Sequence, residues 1–110
     1  MKVKNLAEVE GFSALSMPNG DREITGGYCG DLLSWVMGRA ESGCAWITIM
    51  SNINIAAVAA LADVACVILA ESVSLEQAVI DTAFNKGINI LVSRESAFDI
   101  AAFLGRELAK

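Results

Sequence analysis

The 110-residue sequence contains no histidine. Without an imidazole, the chain has neither a Ser-His-Asp triad nor a Cys-His nucleophile pair, and it lacks the histidine ligands of the usual metal sites. Asp, Glu, Ser and Thr are present, but no pair of them stands at a spacing that indicates acid-base or nucleophilic chemistry. The sequence therefore predicts a protein that is not an enzyme and that holds no metal and no cofactor.

Cysteine is also scarce, with Cys29, Cys44 and Cys66 as the whole set. An odd number of cysteines with no C-x-x-C pair favours neither a disulfide framework nor a zinc site. Cys66 falls within an apolar run and is expected to be a small buried hydrophobe. Cys29 precedes a predicted helix start, where a thiol can have a lowered pKa; the alternative is burial beside Tyr28.

Long hydrophobic runs and clusters of positive charge are missing as well. Asp63 and Glu71 break the most apolar region, so no run reaches the ~18 residues of a membrane span. Met1 to Glu10 is polar and does not resemble a signal peptide. The net charge is −5 and the eight basic residues are scattered, which is atypical of a nucleic-acid binder. We expect a cytoplasmic protein with no nucleic-acid or membrane partner.

Apolar residues make up 55% of the sequence, enough for one domain over residues 1–110 with a large core. From residue 45 onward, β-branched apolar runs alternate with helical patterns. The predicted order is strand Ala45–Met50, helix Ile55–Ala62, strand Val64–Ala70, a helix with a capping box at Ser74–Gln77, strand Ile88–Val92, and a helix capped by Ser96. Such alternation predicts an α/β fold with a largely parallel central sheet flanked by helices. The strands centred on residues 47, 67 and 90 should be neighbours in that sheet.

Before residue 45, the chain predicts a short helix within Met1–Glu10, a strand over Phe12–Met17, and a short edge strand at Glu23–Thr25. A helix should then run over Asp31–Ser42, with Asp31 as its N-cap and Gly43 as its stop. The predicted apolar face of this helix consists of Leu32, Leu33, Val36, Met37 and Ala40.

The paired glycines Gly26 and Gly27 precede this helix and have two explanations. They allow a tight turn, which is the more common use of such a pair. Alternatively, their backbone N–H groups and Arg22 form a cradle for an anion beside the helix N-terminus. The spacing is neither a Walker A loop nor a dinucleotide fingerprint.

Short polar residues follow each of the three central strands, at Ser51–Asn54, Glu71–Ser74 and Ser93–Ser96. The carboxyl ends of parallel strands are the usual ligand-binding edge. Helix capping explains most of these residues, particularly Ser74 and Ser96. Asn52 is not needed for a cap at Asn54, so it is the stronger ligand-binding candidate.

Trp35 and Arg39 lie one turn apart, opposite the predicted apolar face. An exposed tryptophan there suggests an interface between subunits, whereas packing under a loop is the alternative. The high apolar content also favours self-association, and a C2 homodimer is the default arrangement.

Five segments of the chain form a recognisable set: Asp21-Arg22, Thr25-Gly26-Gly27, Gly30–Met37, Trp46–Ile49 and Asn52–Ala59. Together they resemble the DRTGG domain family. Such domains are attached to phosphotransacetylases and CBS-domain pyrophosphatases, and they are similar to the N-terminal domain of HPr kinase/phosphorylase. The resemblance implies a regulatory or ligand-sensing α/β module. Nucleotides are held mainly by the CBS pair in those pyrophosphatases, and Ser51 stands where family members often have a histidine.

The leading hypothesis is therefore a stand-alone, non-catalytic module that binds a small anionic metabolite or a nucleotide and acts through a partner protein. The second hypothesis is a dimerisation or protein-interaction module with no small-molecule ligand. The predicted ligand-binding residues are Arg22, Thr25, Gly26, Gly27, Thr48, Asn52 and Asn54, and the predicted interface residues are Trp35 and Arg39.

Overall fold

A computed structural model describes all 110 residues and contains five helices and five strands. In chain order they are α1 (Val3–Ala7), β1 (Phe12–Ser16), β2 (Gly26–Cys29), α2 (Leu33–Arg39), β3 (Cys44–Thr48), α3 (Ile55–Ala62), β4 (Cys66–Leu69), α4 (Gln77–Asn85), β5 (Ile90–Ser93) and α5 (Ala97–Leu108). None of the helices has the length and apolar character needed to span a bilayer.

The five strands form one sheet in the order β1-β5-β4-β3-β2. Strands β2 to β5 are parallel, and β1 pairs with β5 in the antiparallel direction. The predicted α/β domain with a largely parallel sheet is confirmed, and so is the adjacency of the three central strands.

Helices cover both faces of the sheet. Trp46 and Val67 point to the face covered by α2, α3 and α4, whereas Ile47 and Ile68 point to the face covered by α1 and α5. Every residue of β3 and β4 is buried. Burial on both faces explains why these strands are continuous apolar runs rather than alternating ones.

Some helix ends match the sequence prediction closely. Helix α3 has the predicted bounds. At the start of α5, the Ser96 hydroxyl oxygen accepts a hydrogen bond from the Asp99 N–H at 3.1 Å, which confirms the cap. Helix α4 is followed by Gly87 with φ +76°, the expected left-handed stop.

The prediction for α2 is wrong at both ends. The helix starts at Leu33 without a side-chain cap and ends at Arg39, well before Gly43. Asp31 accepts hydrogen bonds instead from the Thr48 hydroxyl at 2.7 Å and the Ile49 N–H at 3.0 Å. The buried Thr48 hydroxyl requires a partner, and this tertiary bond takes the carboxylate away from the helix. Two members of the predicted apolar face, Leu32 and Met37, are exposed.

Three further local predictions are wrong. Gly26 and Gly27 belong to strand β2 and not to a turn, whereas the predicted strand at Glu23–Thr25 is reduced to a bridge between Glu23 and Lys2. Ser74 does not cap α4, whose N-cap residue is Glu76 and has no side-chain capping bond.

Candidate functional site

The seven predicted ligand-binding residues lie near the two opposite ends of the parallel strands. We call the side of the sheet where β2 to β5 begin the amino edge, and the side where they end the carboxyl edge. Gly26 pairs with Cys44, and Thr48 lies four residues further along β3, about 13 Å away. Arg22, Thr25, Gly26 and Gly27 therefore form an amino-edge group, and Thr48, Asn52 and Asn54 form a carboxyl-edge group.

Arg22 is bound to the end of helix α3. Its guanidinium donates to the Asp63 carboxylate and to the Asp63 carbonyl oxygen, both at 3.0 Å. The Ser42 hydroxyl donates to the other carboxylate oxygen. Arg22 thus connects the segment before β2 to the α3 C-cap, and its charge is balanced by a carboxylate.

The Arg22–Asp63 ion pair predicts that the free energy of unfolding falls as the pH becomes acidic. Hydrogen bonds from Arg22 and Ser42, together with the Arg22 charge, lower the pKa of Asp63 from its ordinary value. A lowered carboxyl pKa stabilises the fold above the unfolded-state pKa of about 4, and the contribution disappears as the pH falls through the folded-state value. We expect Arg22→Gln to lower the free energy of unfolding at pH 7, with a smaller loss as the pH approaches 2.5.

Urea unfolding of both proteins between pH 2.5 and 7 measures this difference. A gap between wild type and Arg22→Gln that does not change with pH would show that Arg22 contributes through packing and not through the Asp63 carboxylate.

The rest of the amino-edge group surrounds a small hollow. The Thr25 N–H donates to the Gly43 carbonyl at 2.9 Å, which starts the pairing of β2 with β3. A hollow of about 290 Å³ next to this point is lined by Thr25, Gly26, Gly27, Tyr28, Arg39, Glu41 and Cys44. Its lining includes one basic residue, Arg39, and one acidic residue, Glu41. The ligand-binding role of these residues stays a prediction.

Two residues of the carboxyl-edge group, Thr48 and Asn52, make side-chain hydrogen bonds within the chain. The Thr48 hydroxyl donates to Asp31 and accepts from the Met50 N–H at 3.1 Å. The Asn52 side-chain oxygen accepts from the Asn54 N–H at 2.8 Å, whereas Asn54 makes no side-chain cap. The sequence expectation was the reverse, with Asn54 as cap and Asn52 without a local partner. A ligand-binding role for this group also stays a prediction.

Sequence reasoning missed the largest cavity in the molecule, which has a volume of about 510 Å³. It lies at the carboxyl end of β5, where Phe12 of β1 pairs with Ser93, and the β4–α4 loop borders it. We call it the serine cavity; its lining residues are Gly11, Phe12, Ser13, Leu15, Ser72, Val73, Ser74, Leu75, Ile80, Val92, Ser93 and Arg94. Two of the three polar junctions border this cavity, Glu71–Ser74 and Ser93–Ser96, and helix capping is the simpler explanation of their serines from sequence alone.

The β4–α4 loop is held in an unusual conformation beside this cavity. Glu71 and Ser72 have φ values of 59° and 56°, in the left-handed region that non-glycine residues rarely occupy. The Glu71 N–H donates to the Glu95 carbonyl and the Ser72 N–H to the Ser93 carbonyl, both at 2.9 Å. Such strain costs about 1–3 kcal/mol per residue and is concentrated at ligand-binding and active sites.

Arg94 is the charged residue in the lining of the serine cavity. Its Nε lies 3.6 Å from the Glu95 carboxylate, beyond hydrogen-bond distance, and its side chain is 67% exposed. Arg22, by contrast, is hydrogen-bonded to Asp63, and Arg39 stacks on Trp35. The Arg94 guanidinium is therefore better placed than either of them to bind an external anion.

Trp35 is 51% exposed, and the Arg39 guanidinium carbon lies 3.7 Å from the centre of its ring. The tryptophan is thus not covered by a loop, and the predicted interface role stays a prediction. Cys29 is exposed, so the expected burial beside Tyr28 is wrong. Partial desolvation and the Asp31 carboxylate raise the pKa of its thiol, so the lowered pKa considered from the sequence is wrong as well. Cys66 is buried as expected, and burial raises its pKa to about 12.

The fold is similar to that of a solved structure, the CBS and DRTGG domains of the regulatory region of Clostridium perfringens pyrophosphatase complexed with the activator diadenosine tetraphosphate. The TM-score is 0.70 at 14% sequence identity, over 94% of this chain and 45% of that one. The fold is thus DRTGG-like. This chain spans less than half of that structure's length, and at 14% identity the likeness concerns the fold alone. No family profile and no curated protein matches the sequence.

Proposed function

We propose that the chain is a non-catalytic regulatory module of the DRTGG family that binds a small anionic metabolite and acts through a partner protein. The observation that supports this most strongly is the serine cavity at the carboxyl edge, with Arg94 in its lining. Its volume of about 510 Å³ lies in the range of small-molecule sites, roughly 300–1,000 Å³. The likeness to a regulatory region, which binds a nucleotide activator, also supports a sensing role.

A thermal-shift screen of nucleotides, phosphorylated metabolites and carboxylic acids tests the proposal. A ligand at 100 times its dissociation constant adds about 2.7 kcal/mol to the stability, which corresponds to a rise in Tm of roughly 10 °C for a domain of this size. We expect at least one compound to produce such a rise in the wild type.

The variant that tests the site is Ser74→Trp, which places a large side chain in the serine cavity. Ser74 is exposed and caps no helix, so this variant should fold. We expect it to lose the shift. If no compound shifts the wild type, or if Ser74→Trp responds equally, the chain is not a sensor of this kind at this cavity.

The exposure of Trp35 favours a second candidate function, self-association through helix α2. Tryptophan is the residue type that most often dominates interface energy. We expect a homodimer at tens of micromolar, which Trp35→Ala weakens by about 2 kcal/mol, or roughly 30-fold in Kd. Phe84→Ala removes another exposed aromatic side chain, on α4, and should leave the dimer unchanged.

Sedimentation velocity over a concentration series measures both constants. A wild type that stays monomeric, or a dimer that is equally sensitive to the two substitutions, would contradict this role of Trp35.

A further inference from the structure

We infer that the serine cavity selects ligands with a single acidic group on a compact apolar body, such as an aryl or alkyl phosphate or carboxylate. This inference rests on the proposed function and adds the chemical class of its ligand. It derives from the residues that line the cavity, half of which are hydrophobic and the rest mostly serines, with one arginine.

One part of the lining provides hydrogen-bond donors. Ser72 and Ser74 are exposed on the strained β4–α4 loop, and their hydroxyls make no hydrogen bond within the chain. The Ser93 oxygen accepts from the Glu95 N–H at 3.1 Å, so its hydroxyl proton is still available to donate. Arg94 adds a planar guanidinium, which binds carboxylate and phosphate oxygens in bidentate geometry.

The other part of the lining is apolar and incompletely covered. Five half-buried residues contribute to it: Leu15, Val73, Leu75, Ile80 and Val92. Phe12 also borders the cavity, but its ring packs against Phe103 on the opposite face of the sheet. The five residues come from β1, β5, α4 and the β4–α4 loop, so they surround the space from several sides. A ligand body of hydrocarbon character would remove this apolar surface from water, whereas an inorganic anion or a sugar phosphate would not.

The charges limit the ligand to one acidic group. Arg94 is the cation in the lining, and the Glu95 carboxylate, which lies outside the lining but 3.6 Å from the Arg94 Nε, already offsets part of its charge. The chain as a whole carries a net charge of −5, which repels polyanions. A single guanidinium favours a ligand with one acidic group over an oligophosphate, whose several charges it cannot offset.

Isothermal titration with defined probes tests the inference. Phenyl phosphate and phenylacetate carry both required parts, phenol lacks the acid, and inorganic phosphate lacks the body. We expect one of the two aryl acids to bind at least tenfold more tightly than phenol and inorganic phosphate, and the stronger of them identifies the preferred acid. Equal affinities for the acid and its truncated forms would overturn the inference.

Arg94→Gln should weaken the preferred aryl acid at least tenfold and leave phenol unaffected. Arg106→Gln is the matched control, because Arg106 is exposed on α5 outside the cavity and should not change binding. Identical losses in both variants would refute the role of Arg94. If metabolites shift the Tm in the thermal screen but the probes show no such preference, the ligand class is wrong while the sensing function stands.

Discussion

Trp46→Ala is expected to lower the free energy of unfolding by about 3–5 kcal/mol. Trp46 is fully buried in β3 among residues of α2 and α3, and its indole N–H donates to the Gly30 carbonyl at 2.8 Å. Truncation leaves a large cavity and a carbonyl without its partner. Since a domain of this size has a stability of roughly 5–15 kcal/mol, the loss is a large part of the total. Urea unfolding monitored by circular dichroism measures it.

The other tryptophan provides a matched control. Trp35 is 51% exposed, so Trp35→Ala should change the stability of the monomer by no more than about 0.5 kcal/mol. The comparison is made at concentrations where both variants are monomeric. Similar losses for the two substitutions would contradict the assignment of one tryptophan to the core and the other to the surface.

Gly43→Ala is expected to cost about 2–4 kcal/mol, for two reasons that add. Gly43 has φ +84°, a conformation that an alanine adopts only with strain. A Cβ atom at this position would also lie 2.6 Å from the Thr25 hydroxyl oxygen, far inside van der Waals contact. Thr25 thus packs against a glycine, which gives this threonine a structural role.

Gly87→Ala separates the two causes, because Gly87 has φ +76° but open space where the Cβ would be. It should cost only about 1 kcal/mol. Thr25→Ala in the Gly43→Ala background should recover part of the loss by removing the clashing oxygen. If Gly43→Ala costs no more than Gly87→Ala in the same unfolding assay, the contact with Thr25 does not constrain this position.

The central strands could be predicted from the sequence because burial on both faces leaves a direct signal. Strands β3, β4 and β5 lie in short, largely apolar runs, and their length and β-branched residues favour strands over buried helices. Strand β2 carries no such signal. Its glycines have a low intrinsic preference for strands, and only pairing with β3 makes them extended.

The candidate site was less predictable because its contacts join distant parts of the chain. Arg22 pairs with Asp63, which is 41 residues away in the sequence. Asp31 accepts a hydrogen bond from the Thr48 hydroxyl, 17 residues away, instead of capping α2. The serine cavity joins three segments, residues 11–15, 72–80 and 92–94. Local sequence patterns identify the junctions that border the cavity. Helix capping explains their serines as well as a ligand site does, and only the hydrogen bonds of the folded chain separate the two explanations.

The central claim is our proposal that a small ligand binds in the serine cavity, at a distance from the glycines of β2 that the sequence favoured. An amide-detected NMR titration with the preferred aryl acid tests this most directly. We expect the largest chemical-shift changes at Ser72, Ser74 and Arg94, with Gly26 and Gly27 unaffected. Shifts centred on Gly26 and Gly27, or changes confined to the region of Asn52, would contradict the account.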